Sequence, residues 1–276
     1  MPVIHAAVEN GFAASAAFDR IAETYDSAFT HSAVGSAQRT LVQESLHERF
    51  HVGQRILEMN CGTGEDALRL AETGVRVVAC DISEGMIAIA RKKLSSKDPA
   101  PLVEFAVCAN EDLDALEVPG NFDGAFSNFG GLNCTADLAA VARKLAGLVR
   151  PGGEVLICLM GRMCIWEAVW YGTQGNWRKA FRRFRSGGIP ATVGGAGFHV
   201  FYPSVRATRR AFSSEFRLEN WRGVGVTTPP SWLDSQFRKK PRLLALLAAA
   251  DRWVGRMWIL RGCADHTLFR FVRNGS

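Results

Sequence analysis

The chain has 276 residues, 47% hydrophobic and 22% charged, which excludes a disordered or low-complexity protein and allows one α/β domain with an appended segment. Its longest strongly apolar run, 243–250, is far short of the ~20 residues of a spanning helix, and no basic head precedes an apolar core at the N-terminus, so neither a transmembrane segment nor a signal peptide is expected. Charge is uneven: residues 1–150 hold 13 Lys+Arg and 20 Asp+Glu, residues 151–276 hold 20 and 7, and all seven tryptophans lie in the second part. Seven cysteines with no CxxC read as reduced core thiols in a cytoplasmic protein, with no metal framework.

In chain order, apolar spacing predicts helices over 12–29 and about 36–50. Strand and helix signals then alternate: strand RILEM (55–59), helix 65–72, strand 75–80, helix 83–94 with Ser83 as N-cap, and strands 102–108 and 122–128. A helix over about 136–149 is ended by RPGG (150–153), which turns into strand 153–160. Five strands alternating with helices imply a parallel sheet covered on both faces. Residues 161–205 break the pattern and read as an inserted helical lid ending in a flexible Gly-rich stretch, VGGAGF. A strand at 216–226, a helix at 241–257 and a strand at 266–274 bring the total to seven strands. The expected fold is an α/β, Rossmann-like, doubly wound, mostly parallel sheet with an antiparallel last strand, N-terminal helices (1–50), a core (51–160), the lid (161–205) and a C-terminal completion of the sheet (206–276).

Cys61-Gly62-Thr63-Gly64 forms the turn between the first strand and its helix. Its glycines permit close ligand approach, and the helix N-terminus offers free N–H groups that favour an anion. Gly62 to Ala67 satisfies the dinucleotide pattern GxGxxG/A, with Asp81 seventeen residues after Gly64. Glu58, Glu65 and Asp66, however, would repel a pyrophosphate. They suit a zwitterion with a cationic end, such as an ammonium or a sulfonium.

Several motifs in register then resemble the class I S-adenosylmethionine-dependent methyltransferases. LEMNCGTGE is similar to motif I, VVACDIS to motif II, FDGAFSNFGGLN to the fourth-strand motif and LVRPGGEVLI to the segment entering strand five. The resemblance covers about 55–160. It implies S-adenosylmethionine as cofactor and S-adenosylhomocysteine as product. It places Glu58, Asn60, Cys61, Gly62, Thr63 and Gly64 around the methionine moiety and Asp81 on the ribose. Ile82 and Met86 would cover the two sides of the adenine, with Asn110 and Glu111 along its edge. Ser127, Asn128 and Phe129 would lie under the sulfonium, and Tyr25 would close the pocket. Two positions depart from the family: Asn60 replaces a glycine, which a left-handed Asn tolerates, and Ala109 replaces an expected Asp.

The implied activity is methyl transfer to O, N or C of a small, partly apolar molecule, by in-line displacement. Rival readings are an NAD(P)-dependent oxidoreductase, a binding protein without turnover, and an RNA methyltransferase. No NPPY or DPPY tetrapeptide follows strand four; the family resemblance ties that motif to amino-group methylation of bases, so its lack weighs against that activity. His31, His199 and Tyr202 are candidate bases, and none is assigned. The basic clusters around 177–185, read as one amphipathic helix, and 238–242 suit a solvated face, an anionic substrate, a membrane surface holding a hydrophobic substrate, or RNA. The oligomeric state is left open.

Overall fold

The computed structural model describes residues 2–97, 102–116 and 121–275, with side chains from residue 9 onward. The N-terminal segment folds as α1 (Pro2–Asp19), α2 (Ala22–Tyr25), a π-helical turn (Asp26–Thr30) and α3 (Ala33–His47). The single helix expected over 12–29 is therefore broken after Asp19. There the carboxylate leaves the helix and accepts hydrogen bonds from Ser83 Oγ (2.5 Å) and Gly85 N (2.9 Å). The alternating segment gives β1 (Arg55–Met59), α4 (Glu65–Ala71), β2 (Arg76–Asp81), α5 (Glu84–Ser95), β3 (Val103–Val107), β4 (Phe122–Ser127), α6 (Leu138–Leu148) and β5 (Val149–Met160). Ser83 caps α5 as expected, accepting from Met86 N.

Beyond β5 come α7 (Ile165–Thr173), α8 (Trp177–Ala180), β6 (Ile189–Val193), β7 (Ala196–Val200), α9 (Val205–Phe212), β8 (Phe216–Val224), α10 (Asp234–Phe237), α11 (Pro241–Val254) and β9 (His266–Arg273). One seven-stranded sheet has the order β3-β2-β1-β4-β5-β9-β8. The first five strands are parallel, and β9 runs antiparallel to both β5 and β8. Alternation along β1 splits the core: Ile56 packs with α3, α4 and α5 on one face, while Leu57 and Met59 pack with α6 and Phe212 of α9 on the other.

Three expectations need correction. RPGG does not precede β5 but bulges within it, between the pairs Phe122–Val149 and Gly124–Glu154. VGGAGF is a β-hairpin turn: Gly194 (φ +55°) and Gly195 (φ +76°) reverse β6 into β7, and Phe198 and Val200 pack on Ala14 and Ala17 of α1. The run 177–185 is not one amphipathic helix but α8 and a separate 3₁₀ turn (Arg182–Phe184), because Arg183 is drawn into the interior. α9 was not anticipated. Ser204 caps it, and Phe212 carries it onto the sheet.

Candidate active site

The carboxyl ends of β1 and β4 point the same way, and the strand order reverses about β1, so both following turns open on one crevice. Asn60 (φ +55°), Gly62 (φ +53°) and Gly64 (φ +74°) shape the first turn; Phe129 (φ +47°) and Gly130 (φ +81°) shape the second. The left-handed Phe129 is a strained conformation held by its surroundings. The guanidinium of Arg39 lies 4.7 Å from its ring centroid on one side, and the His266 ring meets it edge-on at 5.5 Å.

The departure at Asn60 has a structural account. Its side chain accepts from Ser127 Oγ (3.0 Å) and donates to Asn110 Oδ1 (3.2 Å), and Asn110 donates to Thr135 Oγ1 (3.0 Å). One chain of hydrogen bonds thus ties β1 and β4 to the segment after β3. Asp81 accepts from Gly62 N and Ser83 N, both at 2.9 Å, and so clamps the turn while keeping lone pairs for a ligand. Burial raises its carboxyl above the ordinary value, against the two amides.

The acidic ring read from the sequence is largely neutralised. Asp66 pairs with Arg39 and accepts from Gln43 (2.9 Å) and Asn128 (3.0 Å). Burial would push its carboxyl up, but Arg39 and these amides outweigh it and hold it below the usual range. Glu65 pairs with Arg69 (2.8 Å) and Lys93 (3.4 Å). Neither carboxylate is therefore free for a cationic ligand. Glu58 differs: it is 2% exposed, and its Oε2 has no partner. Burial, then the nearby Asp66, raise its carboxyl well above the ordinary value. Glu58, Cys61 and Thr63 border a small recess of about 30 Å³ shared with Tyr25 and Phe129.

That recess adjoins a cavity of about 560 Å³. Its wall includes Tyr25, Asn60, Gly62, Asp81, Ile82, Met86, Asn110, Glu111, Asn128 and Phe129, so the structure brings most sequence-named residues to one surface. Gly64 and Ser127 are not part of that wall. A Cβ on Gly64 would strike the Phe105 ring at 2.6 Å, so its role is helix packing, and Ser127 is fully buried behind Asn60. Thr63 is engaged by Asp26 (2.6 Å) and Lys93 (3.1 Å) and ties the turn to the N-terminal segment.

Among the candidate bases, Tyr202 lines the cavity, under the Arg183 guanidinium. His199 is exposed on β7, and His31 is exposed beside Glu65. The sequence reading missed a cluster on the far wall. Arg183 Nη2 donates to Glu167 Oε1 (2.8 Å) and Asp265 Oδ1 (2.7 Å), and Arg182 Nη2 donates to Glu167 Oε1 (2.8 Å). Asp265 Oδ2 lies 3.3 Å from His266 Nδ1. Burial alone would raise Asp265, but His266 and Arg183 hold it well below the usual carboxylate range. No hydrogen bond engages His266 Nε2 among the described residues. The dipeptide Asp265-His266 was the available signal: at the start of an antiparallel last strand, it falls at the same sheet edge as the carboxyl ends of β1 and β4.

Residues 56–153 match the family described as "Methyltransferase domain". Over 147 residues the chain is 33% identical to the demethylmenaquinone methyltransferase of Clavibacter sepedonicus, covering 52% of this chain and 56% of that one. Over 110 residues it is 34% identical to the ubiquinone biosynthesis O-methyltransferase of Xanthomonas campestris pv. campestris, covering 40% and 44%. The chain thus spans about half the length of these curated relatives. The structure of magnesium protoporphyrin IX methyltransferase from Synechocystis PCC 6803 superposes with a TM-score of 0.56 at 12% identity, over 97% of this chain and 98% of that one. Residues 56–153 therefore match the methyltransferase-domain family, within a chain whose seven-stranded sheet has the fold of the Synechocystis methyltransferase.

Proposed function

We propose that the chain moves the methyl group of S-adenosylmethionine to a hydroxyl oxygen of a small, partly apolar aromatic molecule. The observation that carries this reading is the single cavity that joins the Asn60–Gly62 turn, Asp81 and Phe129 to His266 and Asp265. The names of the relatives, both concerned with quinones, support an aromatic acceptor.

The residues suit the cofactor. Glu58 has a buried, unpartnered oxygen for an ammonium, and nothing would obstruct even a Cβ at Gly62, so a ligand can lie against its backbone. Asp81 retains acceptor capacity for ribose hydroxyls. Ile82 and Met86 offer apolar faces to the adenine, with Asn110 and Glu111 along its edge. When bound, S-adenosylmethionine supplies a methyl group already activated on sulfur. The chain then has to align an acceptor, exclude water and remove a proton. Phe129 and Tyr25 wall the reacting region. His266 Nε2 takes the hydroxyl proton, while the Asp265 carboxylate, 3.3 Å from Nδ1 without a hydrogen bond to it, steadies by its charge the imidazolium that forms.

Calorimetric titration with S-adenosylhomocysteine and NADH, followed by a methyl-transfer assay on phenolic and hydroquinone acceptors, tests the reading. Tighter binding of NADH would remove it, and so would tight S-adenosylhomocysteine binding with no transfer to any hydroxyl acceptor.

A further inference from the structure

One face of α11 is turned outward although it is apolar. The helix buries only Leu244 and Asp251. Leu243, Leu246 and Trp253 recur at helical spacing and are exposed, and Met257, Trp258 and Ile259 continue the patch in the turn after the helix. Trp253 is 76% exposed and Trp258 79%, values far from those of core tryptophans. Arg238, Lys239, Lys240 and Arg242, all exposed, precede the patch. Among the described residues no ion pair engages these four or Arg256.

Beside this patch lies a second cavity, of about 390 Å³, well apart from the active-site cavity in its lining. Arg49, Arg222, Arg256, Asn220 and Ser45 line it, with Glu48 as the one acid not otherwise paired. Arg270, also in the wall, is taken by Glu154 (2.7 Å), and the neighbouring Arg252 by Glu44. Arg222 Nε and Nη2 are buried and have no partner. The Arg222 side chain is half-buried, but its two buried N–H-bearing nitrogens lack an acceptor, which is costly, and an anion from outside the chain would satisfy them. Arg256 belongs to both features: it follows the last turn of α11 and points into this cavity.

We propose that this face docks on an anionic phospholipid bilayer, with a lipid phosphate in the Arg49–Arg222–Arg256 cavity and Trp253, Trp258 and Ile259 in the interfacial layer. Tryptophan beside unpaired Lys and Arg is the composition of an interfacial surface. A second copy of the chain does not fit as the occupant, because it would set this basic patch against itself. A free phosphate would fill the cavity but leave the apolar stripe in water. The inference stands apart from the methyl-transfer reading and is tested without cofactor or acceptor.

The test is flotation of the full chain with vesicles of phosphatidylcholine alone and of phosphatidylcholine with roughly one-third phosphatidylglycerol. The expected result is binding more than about tenfold tighter to the anionic vesicles, weakened by salt. Trp253→Ser/Trp258→Ser, at exposed positions, is expected to lower it about tenfold or more. Arg256→Gln is expected to lower it roughly fivefold and Arg222→Gln by at least as much. Equal binding to both vesicles, or no effect of the tryptophan substitutions, would overturn the proposal. Stabilisation by inorganic phosphate without vesicle binding would assign the cavity to a soluble anion and overturn it as well. A dimer that the tryptophan substitutions dissociate, with no vesicle binding, would assign the face to a second copy.

Discussion

A Cβ built on Gly131 would lie 2.3 Å from the Cβ of Asn60. The two positions share one space: the glycine after β4 makes room for the side chain that replaces a glycine after β1. Gly131→Ala is therefore expected to cost about 1–3 kcal/mol of stability and to weaken S-adenosylhomocysteine binding. Asn60→Gly/Gly131→Ala should recover part of the loss. Thermal melts of the two single variants and the double variant measure the coupling, and strict additivity would show that the positions are independent.

Glu58 predicts a pH effect whose sign is fixed by its burial. Its carboxyl lies well above 4.5 in the folded chain, so folding tightens its hold on a proton. The stabilisation from that proton is complete below the unfolded value and is lost as pH rises through the raised folded value. Glu58→Gln removes this loss. It should raise the melting temperature of the ligand-free protein more at pH 8 than at pH 4, and it should weaken S-adenosylhomocysteine binding. Equal shifts at both pH values would contradict the assignment.

His266 is expected to act on the acceptor and not on the cofactor. His266→Ala should lower kcat by about 10²–10⁴ and leave the dissociation constant of S-adenosylhomocysteine within a factor of about two. Asp265→Asn should lower kcat less and change its pH profile, since it removes the negative charge 3.3 Å from the ring. An unchanged kcat in His266→Ala would assign deprotonation elsewhere, with Tyr202 next in line on the cavity wall.

Arg183 is the cation between two buried carboxylates, Glu167 and Asp265. Arg183→Met leaves Asp265 with only His266 for compensation. The expected cost is about 3–5 kcal/mol, read by chemical denaturation at pH 7. Exposed Arg178, in the same sequence cluster, should cost less than ~0.5 kcal/mol when changed to Gln. Equal effects would mean that the cluster is a solvated face throughout.

The sheet was legible because period and punctuation are local. RILEM, VVACD and FDGAFS are buried on both faces and read as apolar runs, and Ser83 caps a helix through atoms three residues away. The turn at 60–64 was legible for the same reason, since positive φ selects Gly and Asn whatever lies beyond. The hairpin at Gly194–Gly195 was lost because Gly-rich composition alone does not tell a tight turn from a mobile strand of chain. Composition likewise gave Arg182 and Arg183 the same reading as Arg178, although Arg183 is buried. Glu65 and Asp66 look available to a ligand in the sequence because Arg39 and Lys93, which help neutralise them, come from distant segments. His266 is 185 residues from Asp81 in the chain, and only the return of an antiparallel strand beside β5 sets it at the same edge of the sheet. The sequence by itself determined the strands and the glycine turn, since those depend on neighbours within a few residues. Which charges are spent on one another and which remain for chemistry was decided only by the tertiary structure, because Coulomb energy and desolvation depend on distance and burial in space and not on separation along the chain.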